Sequence, residues 1–496
     1  MSQELYKISK SGFLKYDQCP KAFFLYKKFP YLRDPISKEK QFTFNRGHEV
    51  GHLAQQLFPG GIDASHNAKG AQEVANNTQQ LLQNKTTTIY EATFVFNSVL
   101  IMVDILYFDG EKWNAYEVKS SLKVSEVYVK DACLQYYVLK NALPLFSNLY
   151  LVTLNGDYVL GEELELNKLF KKRNISADAE KNLDFFTHKV SEINLMLEKN
   201  VTPEIAIGKH CFSPYACDFT GTCWKNISNE KSVFKIGKSD RDTLFNWYQS
   251  GKDTVDKVDI TGDIKPHIKI QIECIKENKE YFNSEEIKKL LKKIGINSCF
   301  MDMEVWSPAV PKYKGHKPFE QLPFLFSVCS RKNGELNYYH HLIPEGSNDI
   351  KAFTVALIYA MEKFDNVVVY DKNLELQVIA KIESLYPEFS RDLNSIRKKI
   401  IDLSDLVQNF FYYNPKFNGN FSLKAIADIL DETADYNKLE IQSGITAMYK
   451  YEALSNEPNP IIRETYKQQL IDYCNLDTLT CLKFYEYLLE KIKEQE

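Results

Sequence analysis

The sequence predicts a mixed α/β protein with two folded parts joined by a helical stretch. Three observations lead there. Apolar residues recur with helical spacing over 12–28 and then alternate over 87–120, where TTIYEATFVF, VLIMVDILYFD and WNAYEVKS follow one another. Strand–helix alternation resumes at Ser298, after a lysine-rich amphipathic stretch at 231–295. At 496 residues the chain exceeds what one hydrophobic core ordinarily organises, so a division between 230 and 297 is expected.

The elements follow in order. GFLKYDQCPKAFFLYKK (12–28) carries helically spaced aromatics and stops before Pro30; a second helix fits 46–58, closed by Pro59-Gly60-Gly61, and a third fits 69–84. The alternating runs of 87–120 read as three strands with a turn at Asp109-Gly110, followed by a helix over VYVKDACLQYYVLKNA and a strand at NLYLVTL. Residues 172–230 are helical and then cysteine-marked. Beyond Ser298 come strands CFMDMEVW, PFLFSVCS and ELNYYHHLI, a helix over 348–364, a strand at NVVVYDK, further helices, and a terminal helix from about 462. The predicted domains are 1–230, a connector at 231–296, and 297–496.

Composition narrows the function classes. With 44% hydrophobic and 26% charged residues the chain folds rather than staying disordered. A net charge of −4 gives no bulk attraction for a polyanion, so a nucleic acid would have to be met by local lysines or bound metal. No apolar run reaches spanning length and the polar N-terminus is no secretion signal, so a cytoplasmic protein without a membrane partner is expected. No GxxxxGK[ST] loop occurs, which removes a helicase motor. Ten cysteines in such a chain are not a disulfide framework, and six of them (Cys133, Cys274, Cys299, Cys329, Cys474, Cys481) lie among apolar neighbours as buried thiols.

Strand alternation puts Glu117 and Lys119 on one face and Val118 on the other, with Asp104 on the preceding strand. Two carboxylates can hold Mg²⁺ or Mn²⁺ through hard oxygens, a lysine beside them can stabilise developing charge, and Glu91 would complete the acidic cluster. The bland alternative is a surface hairpin with ordinary charges. The order Asp104, twelve residues, then Glu117-x-Lys119 resembles the PD-(D/E)xK nuclease core in its RecB-like branch, over roughly residues 8–225. That resemblance implies a restriction-endonuclease-like domain. It also implies that Gln135 contacts substrate or braces the site, with Tyr137 as its partner. The sequence departs from the pattern at Leu139, where many members have tyrosine, and at Gly51, where many have a metal-binding histidine; His48 and His52 lie nearby.

Cys19 stands alone in YDQCPKAFF, whereas Cys211, Cys217 and Cys223 are separated by five residues each in HCFSPYACDFTGTCW. Four thiolates can close a zinc site or hold an iron–sulfur cluster. One early and three late cysteines around a RecB-like core resemble the iron–sulfur nucleases, which implies a structural 4Fe-4S cluster tying the ends of the domain together; zinc stays as the alternative.

In CFMDMEVW, Asp302 and Glu304 share a strand face, and in the terminal helix Tyr473 and Asp477 stand one turn apart. These residues resemble the DEDD exonucleases of RNase H-like fold, in the branch with a YxxxD third motif. The resemblance implies metal binding by Asp302, Glu304 and Asp477, with Tyr473 positioning water. The middle acidic position is Glu375 instead of the usual aspartate, with Asp371 four residues earlier. Asp402 is either structural or near substrate, Ser422 caps a short helix, and the run Phe410 to Tyr413 either packs or stacks bases.

The whole order resembles a bacterial family described only as a domain of unknown function. It implies a metal-dependent nuclease for DNA, single-stranded or end-bearing, with a second 3′-end-trimming centre for DNA or RNA, in repair, recombination or defence. The alternative is a nucleic-acid-binding scaffold with a degenerate second site that serves a partner helicase or a defence complex.

Overall fold

Alternation of apolar and polar residues produces the central sheet of the first half. The computed structural model describes residues 6–227, 229–430 and 434–496. Its contacts divide the chain into two units, Met1–Lys225 with Pro308–Phe319, and Asn226–Ser307 with Glu320–Glu496. The residues expected as a connector thus fall in the second unit.

Unit 1 contains strands β1 (Ile8–Ser9), β2 (Ile62–Asp63), β3 (Thr88–Phe96), β4 (Val99–Phe108), β5 (Trp113–Lys119), β6 (Phe146–Leu154) and β7 (Phe170–Asn174), ordered β2-β3-β4-β5-β6-β7 with β1 parallel to the start of β4. The expected helix over 12–28 is two helices, α1 (Lys10–Gln18) and α2 (Pro20–Lys28). Pro20 has no N–H to continue the ladder and forces Cys19 into extended backbone, so the chain bends there. The helix expected at 46–58 starts earlier, as α3 (Lys38–Gln55), because the Ser37 hydroxyl accepts from Lys40 N at 3.2 Å and caps a first stretch with little apolar face to read. The third helix, α4, spans Ala71–Gln83. α5 (Glu126–Ala142) crosses from β5 to β6, which therefore run parallel. Its residues from Asp131 to Leu139 are all buried, against a core that includes Ile101, Val103, Leu149 and Phe186.

In unit 2, β8 (Tyr281–Phe282) pairs with a later strand, while β9 (Ser298–Trp306), β10 (Leu322–Lys332), β11 (Glu335–Leu342), β12 (Asn366–Val369) and β13 (Ile400–Asp402) form a sheet ordered β11-β10-β9-β12-β13. β9, β10 and β11 are antiparallel and β12 and β13 run parallel to β9. The terminal helix Pro460–Glu494 packs on β9, β10 and β12. Helices Arg241–Gln249 and Pro266–Glu277 share a small core with Val233 and Val255. The aromatic run ends in β14 (Tyr412–Tyr413), antiparallel to β8; Phe410, Tyr412 and Tyr413 are buried, so they pack and have no face for a base. Ser422 occupies the N-cap of Leu423–Ala427 without making the side-chain bond. Among the described residues no helix is long and apolar enough to cross a membrane.

Candidate active sites

The antiparallel pairing of β4 with β5 brings the first motif together. Asp104 Oδ2 accepts from the backbone N–H of Val118 at 2.6 Å, which pins the β4 carboxylate between Glu117 and Lys119. Glu117 is 1% exposed, and each of its oxygens has a donor. Lys119 Nζ lies 2.6 Å and Lys10 Nζ 2.8 Å from Oε1, and Gln135 on α5 donates to Oε2 at 2.6 Å. Lys119 also bonds Asp131 Oδ2 at 2.5 Å, with Lys10 at 3.6 Å from the same oxygen. Gln135 therefore braces the site from a fully buried position. Tyr137 does not join it: its hydroxyl accepts from Asn97 at 3.3 Å.

Glu91 is on β3, where the register of Tyr90 with Ile105 and Ala92 with Val103 sets it opposite Asp104. Its φ of +53° breaks that pairing and costs backbone strain, of the kind that persists where surrounding structure imposes it. Burial, aided by Asp63 and Glu117, pushes Glu91 up to about 7. Burial and the facing Glu117 raise Asp104 as well. Burial also opposes the charge of Glu117, but Lys10, Lys119 and Gln135 outweigh it and hold this carboxyl well below its usual range. Burial would discharge Lys119, yet Glu117 and Asp131 keep it firmly cationic. Glu91, Asp104, Glu117 and Lys119 line one cavity of about 1110 Å³, together with His48, Gly51 and His52 of α3.

The second constellation is more acidic. Ligand oxygens of Asp302, Glu304 and Asp477 all lie within 4.8 Å of one another. The two β9 residues share a face by alternation, and the terminal helix supplies Asp477. Tyr436 donates to Asp477 Oδ1, Tyr473 bonds the same carboxylate, and the Cys474 thiol lies 3.3 Å from Asp302 Oδ2. Burial together with the neighbouring carboxylates raises Asp302 and Glu304, and burial raises Asp477 to about 6 despite its two tyrosines. Buried like charges this close fit a divalent cation, which would replace repulsion with hard-oxygen coordination.

Residues 299–422 match the model of a family described as a Domain of unknown function (DUF2779). That stretch holds Asp302, Glu304 and Glu375 but ends before Tyr436, Tyr473 and Asp477. No curated protein matches the chain.

Glu375 lies on the helix Asn373–Leu385 and does not enter the group of three. It is 2% exposed, its Oε2 has no hydrogen-bond partner, and burial, with Asp371 and Asp402 nearby, lifts it to about 8. Asp402 has a structural role: its carboxylate accepts from the backbone N–H groups of Asp371, Lys372 and Ser404 at 3.0, 3.1 and 2.9 Å and so shapes the turn that leads to Glu375.

The four cysteines come together at the two ends of unit 1. Cys19 sits between α1 and α2 and packs with Cys217, Cys223 and Phe219, while the Cys211 and Cys217 backbones are bonded at 2.9 Å. Gln18 Nε2 donates to the carbonyls of His210 and Tyr215 at 2.6 and 2.8 Å. Asp218 takes Lys15, Lys40 and Arg33, the last two at 2.6 and 3.0 Å. Cys19 and Cys211 are buried, which the polar loop sequence did not suggest; Ala22 and Leu25 of α2 pack with Cys19. The thiols raise one another's affinity for a proton, beneath the larger effect of burial, as at Cys217, which reaches about 11. Among the described residues the acidic triad is the set of three ligand atoms within 4.8 Å of one another, so the sulfurs are spread more widely.

Sequence reasoning missed Lys10, Asp131 and Tyr436. Asp131 carries a usable signal, since it precedes Gln135 by one helical turn and must share its face. Lys10 and Tyr436 carry none.

Proposed function

We propose that the chain is a metal-dependent nuclease that hydrolyses phosphodiester bonds of DNA, single-stranded or end-bearing, at the centre built on Asp104, Glu117, Lys119 and Gln135. A second, 3′–5′ exonuclease-like centre for DNA or RNA is built on Asp302, Glu304, Tyr473 and Asp477. One observation carries the reading: three carboxylates and a permanently charged lysine from adjacent strands converge on a single cavity. Isolated charges on a surface hairpin would not be buried, cross-bonded and aimed at a common space.

Asp302, Glu304 and Asp477 would hold Mg²⁺ or Mn²⁺ in unit 2; Glu91, Asp104 and Glu117, whose oxygens do not gather as closely, would hold it in unit 1. Bound there, the ion supplies a Lewis acid and an activated water. The residues of the chain do the rest. Lys119 cannot take a proton near neutral pH, so it serves as a fixed positive charge for the phosphate. Gln135 and Lys10 hold Glu117 in one rotamer. Tyr436 and Tyr473 orient Asp477. In this reading the four cysteines hold a structural iron–sulfur cluster. Zinc held by the same four thiolates is the alternative.

The test is cleavage of end-labelled single-stranded DNA and RNA with Mn²⁺ after anaerobic purification. It compares wild type with Glu117→Ala/Lys119→Ala and Asp302→Ala/Glu304→Ala. Loss of DNA cleavage in the first pair alone supports the assignment. Loss in the second pair alone moves the chemistry to unit 2. No cleavage by any form favours a nucleic-acid-binding scaffold that serves a partner helicase or defence complex. The observation on that side is Glu375, which lies outside the group of three ligand atoms with an unpartnered oxygen, although its charge still raises Asp302 and Glu304.

A further inference from the structure

Lys10 belongs to no motif, yet it touches the centre of unit 1. It is the first residue of α1, whose N-cap Ser9 accepts from Gly12 N at 3.1 Å. Its ammonium shares Glu117 Oε1 with Lys119 and approaches Asp131, so two lysines and two carboxylates form a closed square. Lys119 alone already satisfies one oxygen of each acid. A second ammonium on the same two oxygens adds restraint rather than a missing bond. With Gln135 on the other oxygen, the Glu117 carboxylate cannot rotate. The Lys10 side chain is 27% exposed and does not line the cavity, so it acts through Glu117 and not on substrate.

The other end of the same helix is equally tied. Lys15 bonds Asp218, Gln18 bonds the carbonyls of His210 and Tyr215, and the helix stops at Cys19. A helix of 9 residues is about 13 Å long and stiff over that length. One end therefore meets Glu117 and the other end meets the four cysteines.

We infer that Lys10 is a positioning residue for the nuclease centre, and that α1 is the strut through which the cysteine loop holds it against Glu117. This rests on the reading of Asp104, Glu117 and Lys119 as a nuclease centre. A merely structural lysine would change stability and leave the chemistry alone. A positioning lysine changes turnover at constant substrate affinity.

The experiment uses the full chain carrying Asp302→Asn and Glu304→Gln, so that unit 2 is silent, with single-stranded DNA and Mn²⁺. Lys10→Met, which keeps the aliphatic stem, should lower kcat about 30-fold or more with KM within twofold. Lys10→Arg should recover at least a third of the loss, since a guanidinium can still bridge both acids. Gln18→Ala leaves every cysteine in place and cuts the strut; it should lower kcat several-fold, and by less than twofold when Lys10→Met is already present. Cys217→Ser should behave as Gln18→Ala does if it folds. Mn²⁺ affinity, followed by electron paramagnetic resonance, should change in Lys10→Met and return toward the parent value in Lys10→Arg. Unchanged kcat in Lys10→Met overturns the inference while leaving the nuclease reading intact, as does a Gln18→Ala effect that multiplies fully with Lys10→Met. Failure of the parent chain to cleave, or undiminished cleavage by Glu117→Ala, overturns the nuclease reading and this inference with it.

Discussion

Replacing Asp477 by Asn should stabilise unit 2 without metal and remove its response to metal. The sign follows from the triad. Asp477 has its carboxyl raised from 3.8 to about 6, and a shift of that size corresponds to roughly 3 kcal/mol of penalty once the group is ionised. A raised folded value means that the group adds stability below its unfolded value and loses it as pH rises through about 6. Asp477→Asn keeps an oxygen for the Tyr436 hydroxyl and deletes the charge. In chelator-treated protein at pH 8 the variant should therefore be more stable than wild type by about 2–3 kcal/mol, and at pH 4 the two should match. Mn²⁺ at one thousand times its dissociation constant should add about 4.1 kcal/mol to wild type and little to the variant, reversing their order. Hydrogen exchange of amides in β9 and the terminal helix reads the stability of this unit directly. A variant less stable than wild type at pH 8 without metal would refute the reasoning, because burying the ionised Asp477 carboxylate would then carry no penalty.

Other consequences can be measured alongside. Gln135→Leu removes the donor on the buried Glu117 Oε2, and should cost unit 1 about 2 kcal/mol in urea unfolding together with a large loss of DNA cleavage. Asp402→Ala strips three backbone N–H groups of their acceptor, so exchange at Asp371, Lys372 and Ser404 should accelerate at least tenfold. Burial would raise Asp218, but Lys15 and Lys40 lower it to about 2. The loop around Cys211–Cys223 should thus hold its protection above pH 4 and lose it as pH falls toward 2, and Asp218→Asn should lose much of that protection at every pH.

Much of the site was legible because it is local. Alternation on a strand puts Glu117 beside Lys119, and Asp302 beside Glu304, whatever the rest of the chain does. Helical spacing puts Tyr473 over Asp477 in the same way. The helix break at Cys19 was equally readable from Pro20, although aromatic spacing masked it.

What the sequence could not decide depends on partners far along the chain. Lys10 reaches Glu117 across 107 positions and Tyr436 reaches Asp477 across 41, and nothing in either neighbourhood marks them as charged partners of a site. The burial of Cys19 came from Ala22 and Leu25 of α2 and from Phe219, two hundred positions away in the polar loop. Glu375 was read as the middle acidic residue from its order in the chain; it lies outside the group of three ligand atoms, yet its charge raises Asp302 and Glu304. The sequence by itself determined which residue types share a strand or helix face, because backbone geometry alone dictates that. The tertiary structure decided which faces meet, and so which carboxylates are paired with lysine and which are left to repel one another, because those electrostatics depend on distances that chain order does not contain.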